Sequence, residues 1–116
     1  MLPGRFLALC LFALPLVIAC AGGGGGGGTV IKMSEFKYDP ATITVKAGQP
    51  VKLTLQNEGT VVHDFHIDDL GVVSPKVQPK SQSNFEFTPS KSGTFKIICH
   101  EPGHEEGGMT GTLTVQ

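Results

Sequence analysis

The chain has no tryptophan and a single tyrosine among its 116 residues. It also lacks an excess of either charge: nine basic against ten acidic residues leave −1 with histidine neutral. Nucleic-acid binders carry a basic footprint, and this composition excludes one. All ten acidic residues and eight of the nine basic ones lie after residue 20, so the body stands at −2. That sign disfavours docking on anionic lipid by charge alone. The longest apolar run, residues 6–19, covers 14 residues and is broken by Pro15, which is short for a membrane span. After residue 28 no stretch keeps an apolar period of 3.6 residues, which excludes a helical body. Cysteine is scarce as well. Of Cys10, Cys20 and Cys99, only Cys99 falls in the body, so no disulfide can form within it. Cys99 is therefore an inert buried thiol, a reactive thiol or a metal ligand. A chain of this length supports one domain and one modest core.

What is present at the N-terminus reads as an address and an anchor. Arg5 gives a positive start, and the apolar run that follows has the length of a secretory segment. The run ends in Val17-Ile18-Ala19-Cys20, which resembles the bacterial lipoprotein box. That resemblance implies a signal peptide over residues 1–19 and lipidation of Cys20. The competing reading is an ordinary signal peptide cut near Ala19 or Ala21, with Cys20 incidental. Seven consecutive glycines, Gly22 to Gly28, come next. They have no side chains to bury and high backbone entropy, so they serve as a tether of about 15 Å. Residues 20–28 are thus expected to anchor a body, residues 29–116, that faces a periplasm or the cell exterior.

The body reads as all-β. Short alternating runs are separated by Gly, Pro, Asn and Ser. Thr29–Phe36, Thr42–Lys46, Val51–Gln56, Thr60–Ile67, Asn84–Thr88, Gly93–Cys99 and Thr110–Val115 are the expected strands. Turn signals lie at Ala47–Pro50 and Asn57–Gly59. This spacing predicts an antiparallel sandwich or barrel of about seven to eight strands. Between residues 101 and 107, Pro102 and the neighbouring glycines favour loop over helix.

The chemistry concentrates in Cys99-His100-Glu101-Pro102-Gly103-His104-Glu105-Glu106-Gly107-Gly108-Met109. Thiolate, imidazole and thioether share one loop between two expected strands. Soft sulfur with imidazole favours copper, and two histidines, one cysteine and a weak axial methionine make the blue-copper arrangement. A second histidine must come from elsewhere. In Thr60–Ile67, strict alternation groups His63 with Phe65 and Ile67, the core side. The same rule groups Cys99 with Phe95 and Ile97. It sends Val62, Asp64 and His66 to the opposite face, so His66 is expected at the surface. Met33 is expected in packing.

The segments Asn57…His63-Asp64-Phe65 and Phe95…Cys99-x4-His104-x4-Met109, followed by Gly111-Thr112-Leu113-Thr114-Val115, resemble the cupredoxins, the type 1 copper proteins. The two four-residue gaps are closest to auracyanin- and rusticyanin-like members, and the resemblance spans residues 29–116. It implies a Greek-key sandwich that holds one copper ion through His63, Cys99, His104 and a long axial Met109. It also implies a single-electron carrier, not an enzyme, that meets redox proteins such as a cytochrome or a membrane electron-transfer complex. A monomer is expected. Two positions depart from the family pattern. Asn usually follows the first histidine and Ser or Thr the cysteine; here Asp64 and His100 stand there. An Asp64–His100 contact is the expected substitute for that tie between ligand strands.

Competing readings attach to the same residues. A copper carrier or chaperone would use the same ligands. A Cys–His nucleophilic pair is conceivable, but no oxyanion hole or substrate cleft is evident. Zinc is poorly served by Met109. Glu101, Glu105 and Glu106 are expected to be solvated, with an acidic rim for a basic partner as the functional alternative.

Overall fold

The computed structural model describes residues 28–116. The expected signal segment, Cys20 and most of the glycine run lie outside the described residues.

Among the described residues nine strands form two sheets: β1 (Thr29–Ser34), β2 (Lys37–Asp39), β3 (Thr42–Val45), β4 (Val51–Asn57), β5 (His66–Ile67), β6 (Val72–Val73), β7 (Gln82–Phe87), β8 (Gly93–Ile98) and β9 (Thr110–Val115). One sheet runs β2-β1-β4-β7 and the other β3-β9-β8-β5-β6. The sheets are mixed and not purely antiparallel as expected. β1 lies parallel to β4, and β3 parallel to β9. Both parallel pairs join strands that are not consecutive, which is how two sheets close around one core.

Alternation explains most strands. In β4, Val51, Leu53 and Leu55 turn inward while Lys52 faces solvent. Ile31 and Met33 of β1, Ile97 of β8 and Leu113 and Val115 of β9 complete the same core. Each such side chain contributes roughly 1.5–3 kcal/mol on burial.

Alternation fails in residues 60–67. Only His66 and Ile67 form a regular strand, and His63 makes an isolated bridge with Val77. His63, Asp64, Phe65, His66 and Ile67 are all buried, whereas Val61 is exposed. The reason is local. Asn57 is buried and its side chain donates to Val61 O and Val77 O, each at 2.8 Å, and accepts from the Gly59 N–H at 2.9 Å. The segment is therefore pinned by the Asn57 side chain and by isolated backbone bonds between His63 and Val77 rather than by a continuous ladder, and both of its faces meet protein.

Candidate metal centre

The two expected ligand segments meet at one end of the sandwich. β5 pairs antiparallel with β8 through His66 and Ile98, which brings the residues before β5 beside those after β8. His63 Nδ1 and His104 Nδ1 stand 3.2 Å apart, and Cys99 Sγ lies 3.4 Å from His104 Nδ1. The three donor atoms fall within 4.8 Å of one another. His63 and Cys99 are fully buried, and His104 is 9% exposed.

Met109 is also fully buried, and its N–H donates to His104 O at 3.0 Å. The loop reaches this position through consecutive turns, as expected, and without a helix. His104 N–H donates to Glu101 O at 3.1 Å, and Gly108 N–H to Glu105 O at 2.9 Å. Gly108 has φ +100°, a conformation that a side chain at this position would strain, and it sets the approach of Met109.

The electrostatics suit a ligand set. Burial pushes the Cys99 thiol up, the opposite of an activated nucleophile. Burial first, opposed by Glu35, holds His63 below its ordinary value, so its ring offers a lone pair near neutral pH. Two imidazoles and a thiol brought together at a buried end of the core, with Met109 buried at the end of the same loop, fit a copper ion better than a hard cation.

Sequence reasoning missed Glu35. Its Oε1 accepts from His63 Nε2 at 3.3 Å, from Thr60 N–H at 2.7 Å and from Val61 N–H at 3.1 Å. The Thr60 N–H is the main reason its carboxyl falls from the ordinary value to about 2. Gly59 leaves room for this carboxylate, since a Cβ there would collide with Glu35 Oε1. Glu35 thus fixes which nitrogen of His63 is protonated and turns Nδ1 toward Cys99 and His104. Glu35 is a lone acidic residue 28 positions before His63, and no periodicity announces that pairing.

The expected Asp64–His100 contact exists in altered form. Asp64 Oδ1 accepts from the backbone N–H of His100 at 2.8 Å, not from its ring. The other oxygen, Oδ2, lies 3.2 Å from His66 Nε2. His66 is buried, contrary to its expected surface position, because its ring stacks on His100 at 3.9 Å and 16°. The His100 ring turns outward to Asp68, at 3.0 Å. Met33 is core, as expected. The acidic rim is largely neutralised: Glu101 pairs with Lys76 at 2.8 Å and Glu105 with Lys96 at 3.4 Å, while Glu106 is exposed.

Known proteins share this architecture. A family profile described as Cupredoxin-like domain matches residues 8–115. A plastocyanin of Dryopteris crassirhizoma is 30% identical over 73% of this chain and 93% of its own length. A "copper-resistant cuproprotein CopI" of Rubrivivax gelatinosus is 29% identical over 75% of this chain, which spans 64% of that relative. The reduced auracyanin of Roseiflexus castenholzii shares the fold at a TM-score of 0.66, with 23% identity over 79% of this chain and 99% of that one. Two sheets closed around one core, a buried His–Cys–His cluster at one end and a profile match over nearly the whole chain lead to one assignment: this protein belongs to the cupredoxin-like family.

Proposed function

We propose that the protein is a single-electron carrier with one copper ion held by His63, Cys99, His104 and Met109. The convergence of three buried donors from two distant segments carries this reading. When bound, copper supplies the one-electron couple between its +1 and +2 states. The protein's part is to hold the donors still. Asn57 fixes the loop before His63, Glu35 fixes its ring, and the turns of residues 101–108 fix His104 and Met109. Rigid donors keep rearrangement between the two states small, which favours fast transfer.

His104 reaches the surface edge-on to Phe36, with ring centroids 5.1 Å apart. Phe36 and Val61 are exposed apolar side chains near the Glu35 carboxylate. They form a small docking face for a redox protein such as a cytochrome or a membrane electron-transfer complex, and encounters of that kind are weak and small in area. The sequence of residues 1–28 supports export, lipidation at Cys20 and tethering in the cell envelope. The carrier then acts as a monomer and is not an enzyme.

The CopI relatives favour a second reading, a copper-handling role that uses the same ligands. Protein-film voltammetry together with copper transfer to a chelator separates the two. Fast, reversible one-electron exchange with slow copper loss is the expected result. Sluggish exchange with ready copper release would replace the carrier with the copper-handling role. Mass spectrometry of the mature N-terminus tests the anchor: a diacylated or triacylated Cys20 is expected, and an unmodified terminus at Cys20 or Ala21 would refute lipidation.

A further inference from the structure

The side chains behind Asp64 form a second cluster that electron carriage does not use. His66, Asp68 and His100 bring ligand atoms within 4.8 Å of one another. His66 is 8% exposed and sits in β5, paired with Val73 on one side and Ile98 on the other. Its Nε2 lies 3.2 Å from Asp64 Oδ2, and a carboxylate there keeps the proton on Nε2. That leaves Nδ1 as a lone pair, buried and without a hydrogen-bond partner. A buried polar atom left alone costs free energy and calls for an explanation. An imidazole backed by a carboxylate on one nitrogen and free on the other is the arrangement that metal-ligating histidines adopt.

We propose that His66, His100 and Asp68 form a second cation site, separate from the His63–Cys99–His104 centre, for a divalent first-row ion such as Cu(II) or Zn(II). Two imidazoles and one carboxylate, with no sulfur, favour these ions over Cu(I). His66 is the fixed arm. His100 and Asp68 are exposed and already lie 3.0 Å apart, so they are the adjustable arms. The His100 ring must tilt off its stack on His66 to turn a nitrogen toward the ion, and its exposure leaves it room to do so. The site opens to solvent on the Asp68 side, so exchange with the surroundings is direct.

Position gives the site a consequence. His100 follows Cys99 directly in the chain, and Asp64 links the His100 backbone to the His66 ring. A cation held here places positive charge one residue from a ligand of the first centre. Added positive charge favours the more reduced state of a neighbouring metal, so occupancy raises the potential of the first centre. The site itself does not depend on the electron-carrier reading; only the shift in potential rests on it.

The test is a Zn(II) titration of the full chain, with and without one prior equivalent of Cu(I), which the sulfur-containing centre takes and the second site disfavours. Calorimetry and metal analysis give the stoichiometry, and NMR of the histidine rings gives the location. With copper in place, one further zinc equivalent is expected, shifting the rings of His66 and His100 and leaving His63 unmoved. His100→Ala and Asp68→Asn, both at exposed positions, are each expected to weaken that equivalent by about tenfold to a hundredfold. No zinc beyond the first metal, or both variants binding as tightly as the parent, would overturn the proposal. Failure of copper to bind would sink the carrier reading alone, because the His66 and His100 shifts with zinc report on this site separately.

Discussion

The two segments that supply the centre differ in how they hold their donors. Residues 99–109 carry Cys99, His104 and Met109 on one short loop, and the loop's own turns set their spacing. Residues 57–67 carry only His63, and that side chain is held from outside. Asn57 pins the segment at Val61 and Val77, Glu35 grips Thr60, Val61 and His63, and Ser74 Oγ accepts from the Phe65 N–H at 2.8 Å. One segment writes its geometry locally, whereas the other is held by its own Asn57 and by contacts to Glu35, Ser74 and Val77 elsewhere in the chain.

This contrast sets the expected order of mutational effects. In a His100→Ala background, which disables the proposed second cation site, Cys99→Ala removes the thiolate and is expected to abolish tight Cu(II) binding, read by equilibrium dialysis, while the sandwich stays folded by circular dichroism. Retained tight binding in this variant would remove Cys99 from the centre. Asn57→Ala removes three hydrogen bonds made by one buried side chain and should destabilise the fold by about 3 kcal/mol in urea unfolding. A loss below half a kcal/mol would show that Asn57 does not pin the His63 segment.

Copper uptake should also depend on pH. Burial raises the Cys99 thiol, so at neutral pH the empty site carries that proton and must release it to bind metal. Below the thiol's pKa the apparent Cu(II) affinity is expected to rise roughly tenfold per pH unit, and a flat profile in a competition assay would contradict thiolate ligation.

Glu35→Gln should act more gently. It keeps the shape but removes a negative charge next to His63, so the reduction potential should rise by tens of millivolts. The variant also tests stability. Glu35 is depressed to about 2 in the folded protein. Its contribution is therefore present above the ordinary carboxylate value and is lost as pH falls toward 2. The gap between parent and Glu35→Gln in thermal unfolding should close over that window. A gap that widens in acid would reverse the assignment. The smallest effect is expected from Val61→Ser, at the exposed face: slower reduction by a partner cytochrome, with the potential unchanged.

The same contrast explains what the sequence made legible. The Cys99–Met109 loop could be read directly, because ligand identity and spacing lie within eleven residues. Most strands could be read because one face of each is wet and alternation survives. Residues 60–67 could not, because both faces are covered. Period two placed His63 and Phe65 inside but wrongly sent Asp64 and His66 outward. Glu35 was invisible for the complementary reason: its role depends on a contact 28 positions away that only the folded chain creates. The Asp64–His100 link was anticipated as a pair, yet it runs through the His100 backbone, and sequence does not distinguish ring from amide.

The carrier reading stands or falls with His63, Cys99, His104 and Met109 holding one copper ion in a type 1 centre. The most direct measurement is the visible absorption of the protein with one equivalent of Cu(II), before and after ascorbate. An intense thiolate-to-copper band is expected that bleaches on reduction and is missing in the Cys99→Ala protein. A colourless copper complex, or a band that survives the loss of Cys99, would contradict it.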